Sequence, residues 1–186
     1  MYIFNPTDYG PLALLAGTWE GVKGDDIAPS GDRGTENNKY KERIVLEPIG
    51  PVDNHEQKLF ALRYSTMAWR IGEADAFHEE VGYWLWDAAQ KQVMRCFIVP
   101  RGVSVIAGGR VNESDLHFSL SAEQGSATYG ICSNKFLDLE FKTVRYDLKI
   151  DIHDENSFSY EEDTQLLMKG RKEVYHHTDK NTMKRV

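Results

Sequence analysis

Apolar and polar side chains alternate along most of this chain, and Gly, Pro, Asn and Asp interrupt the alternation about every 8 to 15 residues. A two-residue period is typical of strands with one buried face, and regularly spaced turn residues indicate an antiparallel sheet. Helical character is confined to residues 11–16, where three leucines follow a proline suited to a first helical turn. The pattern therefore predicts an all-β protein with one short helix near its start.

The number of strands predicts how the sheet is arranged. We expect strands at 18–23, 40–48, 58–69, 77–86, 92–99, 102–109, 115–121, 126–132, 136–151, 157–168 and 173–185. The long span 136–151 is expected to be bent or interrupted. No predicted helix could cover a face of this sheet, so we expect an antiparallel up-and-down barrel of about ten strands, because closure removes exposed strand edges.

The domain organisation follows from length and from the absence of linkers. We expect one domain over residues 1–186, in which segment 1–16 holds the short helix and precedes the barrel. Residues 24–39 are rich in Gly, Asp and Asn, which predicts a mobile loop beside an open end of the barrel. The barrel edges and this loop leave a homodimer open.

Composition limits the partners. The formal net charge of −7 would repel polyphosphate, so nucleic acids are poor candidates. No run approaches the roughly 20 apolar residues of a membrane span, and no basic segment followed by an apolar one marks a secretory signal. We therefore expect a cytoplasmic protein with no membrane partner, in which Cys96 and Cys132 are unpaired thiols.

The last two predicted strands, 158–168 and 173–185, form a hairpin that indicates a cavity. Alternation points Tyr160, Glu162 and Thr164 to one face of the first strand. On the second strand, the side chains expected to point inward are Tyr175, His177, Asp179, Asn181 and Met183. A turn centred on residues 170 and 171 then places His177 opposite Thr164 and Asp179 opposite Glu162.

So polar an interior favours a hydrated or ligand-filled cavity, because burying such groups without partners costs several kcal/mol each. In the alternative interpretation, the register is slipped and these groups are solvated. Glu162 and Asp179 could also act as a general acid and base in a hydrolase or isomerase. More often, two inward acids meet an arginine, and four are available: Arg63, Arg95, Arg101 and Arg145.

A second histidine, His78, precedes an aromatic-rich strand. A neutral imidazole can bind iron through one nitrogen while the other donates to an acceptor that orients it. A histidine that reaches an aromatic-walled cavity therefore suits haem. The alternative is a hydrogen-bonded core histidine.

Three stretches together resemble the nitrobindin family of small haem-binding β-barrels, relatives of the lipocalins and fatty-acid-binding proteins. Residues 14–21, Leu-Leu-Ala-Gly-Thr-Trp-Glu-Gly, are similar to the family's Gly-x-Trp-x-Gly opening. Residues 77–84, Phe-His-Glu-Glu-Val-Gly-Tyr-Trp, resemble its His-x-Glu-x-Gly-Tyr-Trp strand, and Val-Pro-Arg-Gly-Val at 99–103 resembles the turn that follows. The third stretch runs from Phe158 to the pair of histidines 176–177 and the end of the chain.

The resemblance implies haem b bound at one end of the barrel, with a histidine of the last strand as the axial iron ligand. His177 is the candidate ligand because alternation along the last strand points it inward. Thr164 then faces it, and His78 lies on the opposite wall. If the strand contained a bulge, His176 would point inward instead. The resemblance also implies binding of nitric oxide and a peroxynitrite isomerase activity.

Two other classes of function stay open. In a carrier of a fatty acid or another amphipathic metabolite, His177, Asp179 and Asn181 would bind the polar head of the ligand. The apolar part of that cavity would be lined by Trp19, Trp84 and Tyr160. An interaction module would have a filled interior.

Overall fold

The computed structural model describes residues 4–186, which form eleven strands, one short α-helix and an N-terminal 3-10 helix. The 3-10 helix spans Pro6–Leu15, and α1 spans Lys135–Glu140. The strands are β1 Gly17–Pro29, β2 Thr35–Asp53, β3 Lys58–Arg70, β4 His78–Asp87, β5 Gln92–Val99, β6 Val103–Arg110, β7 His117–Gln124, β8 Gly130–Ser133, β9 Phe141–Asp154, β10 Ser157–Met168 and β11 Tyr175–Arg185. The first three residues of the predicted segment 1–16 lie outside the described part.

The strands close into a barrel in the order β1-β11-β10-β9-β7-β8-β6-β5-β4-β3-β2. Neighbouring strands are antiparallel except β7 and β8, which run parallel over two residue pairs, Glu123 with Gly130 and Gln124 with Ile131. The all-β barrel with a short N-terminal helix is therefore confirmed. The described residues form eleven strands rather than about ten, and the sheet is mixed.

Alternation within the strands explains why they form a closed sheet. In β9, Tyr146, Leu148, Ile150 and Ile152 are all buried, while Lys149 between them is exposed. Successive side chains of a strand point to opposite faces, so one face of β9 enters the interior and the other meets solvent. The same two-residue pattern recurs around the barrel.

The interior changes character from one end of the barrel to the other. On β10 the inward side chains read Phe158, Tyr160, Glu162 and Thr164, from apolar to polar. On β4, which runs the opposite way, the order from apolar to polar is Trp86, Trp84, Glu80 and His78. We call the apolar end the closed end and the other end, where the β1–β2 and β10–β11 turns lie, the mouth.

The N-terminal 3-10 helix plugs the closed end. Its Tyr9, Leu12 and Leu15 are almost completely buried and join the main hydrophobic core. The helix is kinked at Gly10, whose φ is 50°, and a Cβ there would meet the Trp86 indole at 2.6 Å. Only glycine combines this backbone conformation with such close packing.

Several predicted boundaries are wrong. Residues 24–39 are not a loop, because β1 and β2 extend through most of this span and leave only 30–34 as the turn. The predicted helix 11–16 begins earlier, at Pro6, and is a 3-10 helix. The predicted strand 126–132 shrinks to the four residues of β8. The span 136–151 is interrupted, as expected, by α1 at its start.

Within residues 4–186, none of the helices has the length and apolar character that crossing a membrane requires.

Candidate functional site

The closing hairpin of β10 and β11 carries the inward polar residues that the sequence indicates. The structure pairs His177 with Thr164 and Asp179 with Glu162. This register follows from the tight turn at 169–174 and from the buried positions at the other end of the hairpin, where Phe158 faces Met183. One histidine and two acids therefore share a wall of the interior.

The two adjacent histidines of β11 have opposite environments. His177 faces the interior near the mouth, and its Nε2 lies 2.9 Å from Asp26 Oδ1, with 34% of the side chain exposed. His176 faces outward, is exposed, and bonds through Nδ1 to Asp163 at 2.7 Å. The strand shows no bulge that would exchange the two, because the β10–β11 register runs without a shift.

Asp26 is a residue of this site that the sequence analysis does not mark. It is 5% exposed, and Asn38 Nδ2 donates to its second oxygen at 2.8 Å. Burial alone would raise the pKa of Asp26, but the bonds from His177 and Asn38 outweigh burial and lower it. The carboxylate is therefore ionised and accepts only, so His177 Nε2 must carry the proton and donate.

A charged network occupies the middle of the barrel around Arg95, which is 4% exposed. Arg95 Nη2 donates to Glu80 Oε2 and to the Tyr64 hydroxyl, each at 2.6 Å. Its Nη1 donates to Glu162 and to Tyr146. Burial opposes ionisation of Glu80, but the charge of Arg95 together with the bonds from His78 and Tyr64 outweighs burial and lowers the pKa of Glu80 to about 2. Arg95 thus meets Glu162, one of the two inward acids that the sequence indicates, together with Glu80.

A second cluster surrounds Glu42 on the neighbouring wall. Tyr160 donates to Glu42 Oε2 at 2.7 Å, and Thr66 donates to Oε1 at 2.8 Å. Burial outweighs these bonds and raises the pKa of Glu42 to about 7. Tyr40 joins Tyr160 at 2.8 Å and donates weakly to Asp179 at 3.4 Å.

Asp179 differs from its strand partner Glu162. Burial, followed by the negative charges of Glu162 and Glu42, raises the pKa of Asp179 well above its usual range. Glu162 instead forms an ion pair with Arg95. The two acids therefore occupy different environments: burial and like charges oppose ionisation of Asp179, whereas a guanidinium pairs with Glu162.

His78 lies four strands from β11 around the barrel. Its Nε2 lies 3.1 Å from Glu80 Oε1, and 38% of its side chain is exposed. Burial lowers the pKa of His78, but the bond to Glu80 and its charge outweigh burial and raise it. The position of His78 at the mouth matches that of His177, and each histidine bonds to a buried carboxylate.

The remaining predicted cavity residues lie deeper. Trp84 and Tyr160 line an interior cavity of about 20 Å³, which has room for one water molecule. Trp19 is fully buried at the closed end, where its indole donates to Leu15 O at 2.8 Å and packs edge-on against Phe158. Asn181 is buried next to Gly21.

The mouth is bridged by the β1–β2 turn, residues 30–34. Arg33 donates to Glu140 at 2.6 Å and to Lys169 O at 2.8 Å, and its guanidinium lies 4.9 Å from the centre of the Phe141 ring. Arg171 in turn donates to Arg33 O. These contacts fasten the turn to α1 and to the β10–β11 turn across the mouth.

Comparison with known proteins identifies the family. A family model described as a THAP4-like, heme-binding beta-barrel domain matches residues 8–185. The chain belongs to this nitrobindin-like family. The solved structure of Rv2717c from M. tuberculosis is similar to this nitrobindin-like barrel, with a TM-score of 0.68 at 19% identity over 99% of each chain, which shows a shared fold. No curated protein matches the chain.

Proposed function

We propose that this nitrobindin-like chain binds haem b at the mouth of its barrel, with His177 as the axial ligand of the iron. The observation that carries the proposal is the bond from His177 to the buried Asp26 carboxylate. Metal-binding histidines commonly donate one ring N–H to a carboxylate, which fixes the ring and leaves the other nitrogen for the metal. Within residues 4–186, Nδ1 of His177 forms no hydrogen bond, so this nitrogen is available.

The surroundings of the mouth suit the porphyrin ring. Partly buried apolar side chains, Phe77, Val99, Val103 and Phe141, lie at the strand ends that surround it. The centre of the barrel is occupied by the Arg95 network and encloses only about 20 Å³. Haem would therefore lie against the mouth beside His177 and Thr164, with His78 on the other wall, rather than deep inside the barrel.

When bound, haem iron would supply a site for nitric oxide and for the isomerisation of peroxynitrite that the resemblance implies. The chain's own residues would contribute in three ways. His177 would hold the iron, the apolar rim would exclude water, and the turn at 30–34 would cover the mouth. Stopped-flow decay of peroxynitrite with hemin-loaded protein tests this activity, and a decay rate equal to that with free hemin would contradict it.

Titration of the purified protein with hemin tests the binding proposal. We expect a Soret band that is lost or strongly shifted in His177→Ala, because the axial nitrogen is removed. His176→Ala is the matched control, since this neighbour on the same strand points outward, and its spectrum should equal that of the wild type. An unshifted Soret band in the wild type, or equal spectra for wild type and His177→Ala, would overturn the proposal.

The interior volume does not favour a carrier of fatty acids. Such a ligand would need space beside Trp84 and Tyr160, where the cavity of about 20 Å³ holds no acyl chain. Native mass spectrometry of the purified protein distinguishes the two functions. Retention of a lipid without iron would support the carrier, whereas retention of haem would support the proposal above.

A further inference from the structure

We propose that Asp26 is a positioning residue for the iron ligand: it orients His177 and strengthens it as a donor, and Asn38 and Arg70 hold Asp26 in place. This inference rests on the proposed haem site and adds residues on β1, β2 and β3 that no sequence motif marks.

Strand pairing brings these residues together. Asp26 lies in β1, between β11 on one side and β2 on the other, and pairs directly with Asn38. His177 donates to Asp26 Oδ1 at 2.9 Å, and Asn38 Nδ2 donates to Asp26 Oδ2 at 2.8 Å. Oδ1 of the Asn38 side chain in turn accepts from Arg70 Nε at 3.1 Å. A continuous chain of hydrogen bonds therefore runs from Arg70 to the imidazole.

The geometry fixes which nitrogen of His177 is free. Because Nε2–H donates to a carboxylate that is itself held at both oxygens, rotation of the ring would break a charge-assisted bond at a nearly inaccessible acid. The ring is thus held with Nδ1 directed away from Asp26. An imidazole oriented in this way loses less entropy when it binds a metal than a freely rotating one.

Asp26 also affects the electron density on the ring. A carboxylate that accepts a proton-sharing bond from an axial histidine makes that histidine more basic, and a more basic ligand favours the ferric over the ferrous iron. Asn38 weakens the effect of Asp26 on the basicity of His177, because the Asn38 N–H also bonds to the carboxylate and shares its negative charge. Changes at the two positions are therefore expected to move the haem reduction potential in opposite directions.

Spectroelectrochemistry of the hemin-loaded chain of residues 1–186 tests the inference. Asp26→Asn should raise the reduction potential and lower the ferrous iron–histidine stretching frequency in resonance Raman spectra. Asp25→Asn is the matched control: Asp25 is adjacent on β1, points outward to Lys39, and should leave both quantities unchanged. Asn38→Ala keeps Asp26 and should shift the potential downward. A residue that only clamped β1 to β11 would move neither quantity.

A haem-free measurement keeps the test independent of loading. In nitrogen-15 spectra of the apoprotein, the Nε2 proton of His177 should be protected from exchange in the wild type and in Asp25→Asn, and unprotected in Asp26→Asn. An exchanging Nε2 proton in the wild type would overturn the inference.

The two proposals fail in different ways. If hemin binds through His177 but Asp26→Asn and Asn38→Ala leave the potential and the Raman band unchanged, the role of Asp26 is overturned and haem binding stands. If the wild type shows no His177-dependent hemin binding, both fall. If Asp26→Asn does not fold, two other measurements test the role of Asp26. These are the lowered reduction potential expected for Asn38→Ala and the exchange protection of the His177 Nε2 proton in the wild type.

Discussion

The closed end and the mouth half of this barrel are built on the same strands but stabilised by different forces. At the closed end, Leu12, Trp19 and Ile152 are buried with few polar neighbours, and burial of apolar area stabilises the packing. In the mouth half, Glu42, Glu80 and Arg95 are also buried and stay in place through specific partners. Burying polar groups lowers the stability of the fold. Their presence in the mouth half therefore indicates that this half binds the ligand.

Removing the central charge should have the largest effect. Arg95→Met would leave Glu80 and Glu162 buried without their cation, and breaking a buried pair costs about 3–5 kcal/mol. Urea denaturation at neutral pH measures the loss. Arg63→Met, which removes an exposed pair with Glu47, should change stability by less than about 1 kcal/mol. Equal stabilities for the two variants would show that the buried ion pairs of Arg95 contribute no more than the exposed pair of Arg63 and Glu47.

The pH dependence of stability should separate the two halves as well. Glu42 has an ordinary pKa of 4.5 that the fold raises to about 7, so the folded state keeps a proton that the unfolded state loses in this interval. The contribution of Glu42 to stability is therefore fully present below pH 4.5 and is lost as pH rises through 7, which amounts to about 3 kcal/mol.

Glu42→Gln should remove that fall, because an amide stays neutral. Denaturation midpoints measured at several pH values between 4.5 and 8 check it, and Glu47→Gln on the surface should retain the wild-type slope. Glu80 contributes with the opposite sign: its pKa is lowered to about 2, so its contribution is present above pH 4.5 and is lost in acid. A wild-type stability that does not vary between pH 4.5 and 7 would contradict the raised pKa of the buried Glu42.

A change at the closed end should affect stability alone. Ile152→Val removes one methylene from a side chain that is 2% exposed, and we expect a loss of about 1 kcal/mol. The hemin titration should match that of the wild type, because the closed end takes no part in the proposed site. A weakened Soret band in this variant would show that the two halves are coupled.

The smallest effect on stability is expected at the bridge across the mouth. Arg33→Ala removes the contacts with Glu140 and Lys169, which are partly exposed, so the loss should stay below about 1 kcal/mol. Transfer of hemin to apomyoglobin should nevertheless become faster, since the turn at 30–34 is no longer fastened. Arg43→Ala, which removes a surface pair with Glu20, serves as the control. Equal transfer rates would show that the turn does not limit exchange.

Much of the barrel could be predicted because alternation and turn residues are local signals. The pairing of His177 with Thr164 could be predicted from side-chain alternation and the position of the turn in one hairpin. The parity of β5 could also have selected Arg95, which lies between the buried Val93 and Phe97.

Asp26 was missed because its segment is rich in turn-forming residues. Cross-strand pairs hold β1 extended there, notably Asp26 with Asn38, after a register shift between Gly21 and Gly24. Such long-range pairing overrides local propensity. The error at α1, where the sequence predicts strand, has a different, local cause. Asn134 caps the helix by accepting from Phe136 and Leu137, and the alternating apolar residues that follow hide this signal.

The ring of strands is sealed where the first strand meets the last, and Asp26 and His177 sit on that seam, 151 positions apart in the chain. During synthesis, the imidazole and its carboxylate partner cannot meet until β11 has left the ribosome. Contacts between such distant positions also form late and slowly in folding. Cofactor capture would therefore be a final, whole-chain event, and a nascent or truncated product should not hold iron.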